Sequence, residues 1–166
     1  MKKKQEGFTL LEVILVTALL GIIATVAVVS YTKVSVDYKL ERYAQETAAD
    51  LRWLQRQAVN KGGEVWLLKL AADGGQYQLV SRSAGKDTVL RTLSLKDEAL
   101  KITAESIDGP KTQAVSEIPF DRGFNKFGYR LRLAANDGRS RYVHLAAVTA
   151  RTRVSESSAR LTDDGG

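Results

Sequence analysis

Apolar residues are spread unevenly along the chain, and their pattern predicts two structural textures. Residues 13–29 carry no charged side chain, and the apolar run reaches back to Phe8 with Glu12 as its one interruption. At 1.5 Å rise per residue, the 22 residues of Phe8–Val29 make a helix about 33 Å long, enough to cross a bilayer core of about 30 Å. Further on, Leu40, Ala44, Thr47, Leu51, Leu54 and Ala58 recur at alternating spacings of four and three, which is one face of an amphipathic helix. Arg42, Glu46, Arg52 and Arg56 fall largely on the other side, and Asn60 with Gly62-Gly63 supplies a stop. The pattern predicts one helix over about 9–61, its first half suited to a membrane and its second half in need of a partner surface.

That surface is predicted from the second texture, short strand-like runs broken by turns. Glu64–Leu70, Gln76–Ser81 and Thr88–Leu95 are separated by Ala72-Asp73-Gly74-Gly75 and by Ser83–Asp87, and Asp-Gly and Gly-Gly between apolar runs are hairpin signals. The stretch Lys96–Glu117 is less regular and contains the turn Asp108-Gly109-Pro110. Tyr129–Leu133 alternates cleanly, Asn136-Asp137-Gly138 turns, and Arg141–Val148 and Thr149–Ser155 follow. A helix laid on antiparallel sheets is an α+β architecture.

Charge changes the picture at both ends. Residues 8–120 hold 13 Lys/Arg and 13 Asp/Glu, whereas residues 121–160 hold nine against three. The basic character therefore belongs to the start and to the C-terminal third. Lys2, Lys3 and Lys4 precede the apolar run, and the positive-inside rule places that end in the cytoplasm. A cleavable secretory signal would have a shorter apolar core and a small-residue cleavage site after it. A plain signal anchor explains the length but not Glu12, because an acid inside a spanning segment costs about 3 kcal/mol and is read as functional by default.

The segment Lys2-Lys3-Lys4-Gln5-Glu6-Gly7-Phe8-Thr9-Leu10-Leu11-Glu12-Val13 resembles the N-terminal motif of type IV pilins and pseudopilins. The resemblance implies a leader over residues 1–7, cut between Gly7 and Phe8 by a membrane-embedded prepilin peptidase, with N-methylation of Phe8. It makes Glu12 the fifth mature residue, an acid that acts in filament assembly by pairing with the amine of Phe8 on an adjacent subunit. Chemistry agrees with the match. Glycine puts no side chain beside the scissile bond, and an amine and a carboxylate in low dielectric are strongly coupled. Residues 8–30 then form the transmembrane and filament-core helix, 31–62 its amphipathic half, and 63–166 a β-rich globular domain.

Later segments narrow the resemblance. Asp50–Val59, Ile118-Pro119-Phe120-Asp121-Arg122-Gly123 and Thr149-Ala150-Arg151-Thr152-Arg153-Val154 resemble motifs of the H-type minor pseudopilins, the GspH/FimT family, with Ala150 standing where the family has Gly. This implies a type IV pilin-like fold and a structural subunit of a pilus-like filament in type II secretion or a type IV pilus, not an enzyme. The partners it implies are other pseudopilins or pilins, the prepilin peptidase, an inner-membrane assembly platform and membrane lipid. The single-pass chain would sit in the inner membrane with its globular part outside, in the periplasm.

Candidate chemistry elsewhere is sparse. The chain has no cysteine and one histidine, so thiolate or His-rich metal sites are not expected, nor is a catalytic residue or a cofactor. His144 alternates with apolar residues and reads as a strand residue. Arg139 and Arg141, and Arg151 and Arg153, form two Arg-x-Arg pairs. Alternate strand residues share a face, so two adjacent strands would present four guanidinium groups near Arg130 and Arg132. The preferred reading is a solvated or subunit-contact face. The alternative is a filament-borne DNA-binding subunit for DNA uptake, which the resemblance associates with a Gly-Arg-x-Arg motif and which would bind phosphates without reading sequence.

Overall fold

The computed structural model describes residues 9–61, 63–107, 113–122, 125–147, 149 and 151–156, without the side chains of 26–30, 32 and 33. It divides into two compact units, Met1–Asp37 and Tyr38–Gly166. The α1 helix spans Leu10–Asn60, one residue shorter at each end than expected.

In the first unit α1 opens on a side-chain cap. Thr9 precedes the first helical residue, and its Oγ1 accepts the backbone N–H of Glu12 at 3.2 Å. A Thr followed three residues later by Glu is the capping-box spacing, and the acid sits in the first turn, where the helix dipole favours negative charge. The hydroxyls of Thr17 and Thr25 donate back to carbonyls one turn earlier, so the polar groups of an otherwise apolar segment are satisfied internally. The large apolar side chains from Leu10 to Ile23 are exposed. Among the described residues no helix is long and apolar enough to cross a membrane.

The second unit places the amphipathic half of α1 against two antiparallel sheets. One has the order β3-β2-β1-β6, from β1 (Val65–Leu70), β2 (Gln76–Ser83), β3 (Lys86–Ser94) and β6 (Glu117–Phe120). The other has the order β5-β4-β7-β8-β9, from β4 (Leu100–Ser106), β5 (Gln113–Ala114), β7 (Tyr129–Ala135), β8 (Ser140–Leu145) and β9 (Thr152–Ser155). All six apolar-face positions read from the sequence, Leu40, Ala44, Thr47, Leu51, Leu54 and Ala58, are fully buried. Inward rows of Leu68, Leu79 and Ile118, and of Ile102, Leu131 and Leu133, complete the core. Trp53 on α1 meets Trp66 on β1 edge to face, with centroids 5.8 Å apart.

The sheets are tied together by backbone hydrogen bonds at the β1–β2 turn. Gly74 accepts from Ile102 N–H at 2.8 Å, and Gly75 accepts from Leu95 N–H at 2.8 Å. Asp73 accepts from Gly75 N–H and pairs with Lys96, which fixes the turn from both sides.

The region Lys96–Glu117, expected to be irregular, holds most of the difference from the sequence reading. It contains a short 3₁₀ turn (Lys96–Glu98), β4 and β5. In β4 the positions Leu100, Ile102, Ala104 and Ser106 are buried, and Lys101 and Thr103 are exposed. That is regular alternation, but small and polar residues at two inward positions dilute it. The turn at 108–110 lies outside the described residues.

Candidate functional site

Of the three candidate site residues at the N-terminus, Gly7, Phe8 and Glu12, Glu12 lies among the described residues. It lies in the first turn of α1, where its N–H is capped by Thr9 and its backbone continues the ladder. Gly7 and Phe8 lie outside the described residues. A carboxylate in the first turn of a helix is favoured by the positive end of the helix dipole. The Thr9 cap was missed in the sequence reading, although the Thr-x-x-Glu spacing signals it.

The four arginines do not share a face. Register pairs Arg141 with Leu133, which turns Arg141 inward to α1, where it meets Glu41 at 3.2 Å and Glu156 at 2.7 Å. Arg139 folds back on Asp137 at 2.6 Å. Arg153 stands opposite His144, which is itself opposite Arg130, so Arg153 and Arg130 lie on the outward face with Arg132. Arg151 precedes β9 and is exposed. Strand register thereby puts Arg141 and Arg153 on opposite faces, while Arg139 and Arg151 lie just outside β8 and β9. His144 is 1% exposed and its Nε2 lies 3.0 Å from Ser155 Oγ.

Two polar clusters that sequence reasoning did not single out tie the elements together. Between α1 and β3, Asp50 accepts hydrogen bonds from the Tyr77 hydroxyl and from Arg91, both at 2.8 Å, and Arg91 also reaches Glu46. Burial raises the Asp50 carboxyl above its ordinary pKa, against the opposing pull of Tyr77 and Arg91. Burial, then the Asp50 charge, likewise raises the Tyr77 hydroxyl. On the outward face of the first sheet, Arg82 and Lys69 each bridge Asp87 and Glu117. Arg82 holds Asp87 down to about 2. These four side chains flank the row that contains Leu67 and Val80. Both apolar residues are buried although they sit on the sheet's outward side.

A cleft of about 550 Å³ opens beside the first cluster, lined by Ala49, Trp53 and Arg56 of α1 and by Leu79 and Leu90 of the sheet. Among the described residues no group of acids, His or Cys is placed to hold a metal ion.

Residues 2–28 match the prokaryotic N-terminal methylation motif, and residues 43–149 match the family profile of type II transport protein GspH. The type II secretion system protein H of Aeromonas hydrophila is 29% identical over 130 residues, covering 74% of this chain and 68% of that protein. A probable minor fimbrial protein of Dichelobacter nodosus is 37% identical over 60 residues, 36% of this chain and 37% of that protein. The fold is similar to that of the minor pseudopilin EpsH from the type 2 secretion system of Vibrio cholerae. That match has a TM-score of 0.56 at 15% identity, over 72% of this chain and 98% of EpsH. The type IV minor pilin FimU of Pseudomonas aeruginosa matches with a TM-score of 0.56 at 16% identity, over 74% of this chain and 92% of FimU. With the family profile spanning most of the globular unit, behind an N-terminal methylation motif, the chain belongs to the GspH family of type II transport proteins.

Proposed function

We propose that this chain is a minor pseudopilin, a structural subunit of a pilus-like filament serving type II secretion or a type IV pilus. The observation that carries the reading is the order of parts on one chain: a methylation motif, a long helix, then the GspH unit. In this reading the prepilin peptidase cuts between Gly7 and Phe8, Phe8 is N-methylated, and α1 carries the subunit into the filament. The leader stays in the cytoplasm, residues 8–30 span the inner membrane, and the body faces the periplasm, a reading supported by Lys2–Lys4 ahead of the apolar run. The activity is assembly rather than catalysis, with other pseudopilins, the assembly platform and lipid as partners.

Glu12 is the assembly residue. Its carboxylate pairs with the new Phe8 amine of a neighbour, and either charge left alone in low dielectric is strongly disfavoured. The test separates processing from assembly. Glu12→Ala is expected to be cut normally but to be lost from sheared or affinity-purified filaments. A Glu12→Ala chain that enters filaments at the wild-type level contradicts this role. No arrangement of arginines favours the DNA-uptake alternative, since Arg139 and Arg141 are occupied by Asp137, Glu41 and Glu156.

A further inference from the structure

The cleft between α1 and β3 has features that the subunit role does not by itself use. β3 is the outer strand of its sheet, and an outer strand exposes backbone groups that another chain can pair with. A bulge interrupts its pairing: Val80 faces Val89 and Leu79 faces Arg91, so Leu90 has no opposite residue. Bulges bend an edge and re-aim a side chain, and here Leu90 lines the cleft with Trp53. Val89, paired with Val80, lies on the opposite face of the same edge. The two are 51% and 45% exposed. A small amphiphile in the cleft would cover Leu90 alone, whereas a polypeptide lying along the edge covers both.

Charge narrows the occupant further. At one end of the cleft Asp50, Glu46 and Arg91 are occupied with one another. At the other end Arg56 lines the opening, exposed, with no ion-pair partner among the described residues. A guanidinium beside an apolar recess selects a large apolar side chain with a carboxylate close to it.

We propose that this cleft receives an extended segment of a neighbouring, different filament subunit. That segment lies along the β3 edge, places an aliphatic or aromatic side chain between Trp53 and Leu90, and sets a carboxylate on Arg56. The proposal rests on the filament-subunit reading and gives that subunit a defined lateral contact on its globular unit, separate from the Glu12 contact.

The test uses the full chain in its own cells, with a benzophenone amino acid at Leu90 and, as control, at the exposed Thr103 of β4. Irradiation is expected to join position 90, and not position 103, to another protein bearing an N-terminal methylation motif, identified by mass spectrometry of the adduct. Arg56→Glu should weaken that adduct about tenfold, the equivalent of roughly 1.4 kcal/mol, and Arg56→Lys should largely keep it. Exchanging the partner's contacting carboxylate for lysine should restore the adduct to Arg56→Glu. Adducts at position 90 only to lipid, only to a second copy of this chain, or no stronger than at position 103 overturn the proposal. If filaments still contain the chain in those cases, the subunit reading survives. If they lack it, that reading fails as well.

Discussion

Asp50 and Asp87 occupy the same kind of molecule yet respond to acid with opposite signs. Arg82 depresses Asp87 to about 2, against an unfolded value of about 3.9. Its contribution to stability is complete above the unfolded value and is lost as pH falls towards 2. Burial raises Asp50, so its contribution is complete at low pH and is lost as pH rises through the folded value. Thermal unfolding of the full chain in detergent between pH 2 and 7 checks both. Asp87→Asn should flatten the acid limb below about pH 4, and Asp50→Asn should steepen the loss of stability on acidification relative to wild type. At neutral pH Asp50→Ala should cost about 2 kcal/mol, since the buried Tyr77 hydroxyl loses its acceptor. Both clusters join residues far apart in sequence, and no local spacing announces them. Glu12 is the contrary case, because the Thr9–Glu12 spacing alone contains its cap.

Turns decide how the elements meet, and two glycines illustrate different demands. Gly63, just beyond α1, has φ +96 and open space where a Cβ would stand. Gly63→Ala should therefore cost only the backbone strain, about 1–2 kcal/mol. Gly74 has φ +67, and a Cβ there would lie 2.8 Å from the Ile102 carbonyl oxygen. Backbone cannot swing aside, so Gly74→Ala should cost distinctly more and loosen the join between the sheets. Chemical denaturation of the two variants side by side gives the comparison. The helix and the hairpin β1–β2 are legible in the sequence because period and turn chemistry agree over several residues. β4 is not, with Ala104 and Ser106 in inward places. The bulge at Leu90 is equally silent, because an extra residue in one strand is defined only by its partner's register. Leu54→Ala, on the face that was legible, should cost about 2–5 kcal/mol.

Over the whole molecule, function is divided between an end that is read chemically and a body that is read by shape. The leader, Gly7, Phe8 and Glu12 proposed for processing and assembly fall within one short stretch of sequence, inside the matched methylation motif. The arginines of the C-terminal third are not a site in the same sense. Their spacing suggests a shared face, but strand register and nearby acids separate them. The outward group of Arg130, Arg132 and Arg153 includes an arginine already bound to Glu105. Double-stranded DNA should accordingly bind the chain weakly at physiological salt, and fluorescence anisotropy with Arg151→Ala/Arg153→Ala as comparison checks it. Micromolar, salt-sensitive binding lost in that variant would contradict the assignment of these residues to solvent and subunit contact.

The central claim, a processed filament subunit, is tested most directly by the mature N-terminus. Mass spectrometry of the chain recovered from the membrane fraction should find Phe8 as the first residue, carrying one methyl group on its amine. Gly7→Ala should leave the leader largely attached. A mature chain that begins anywhere other than Phe8 would contradict the account.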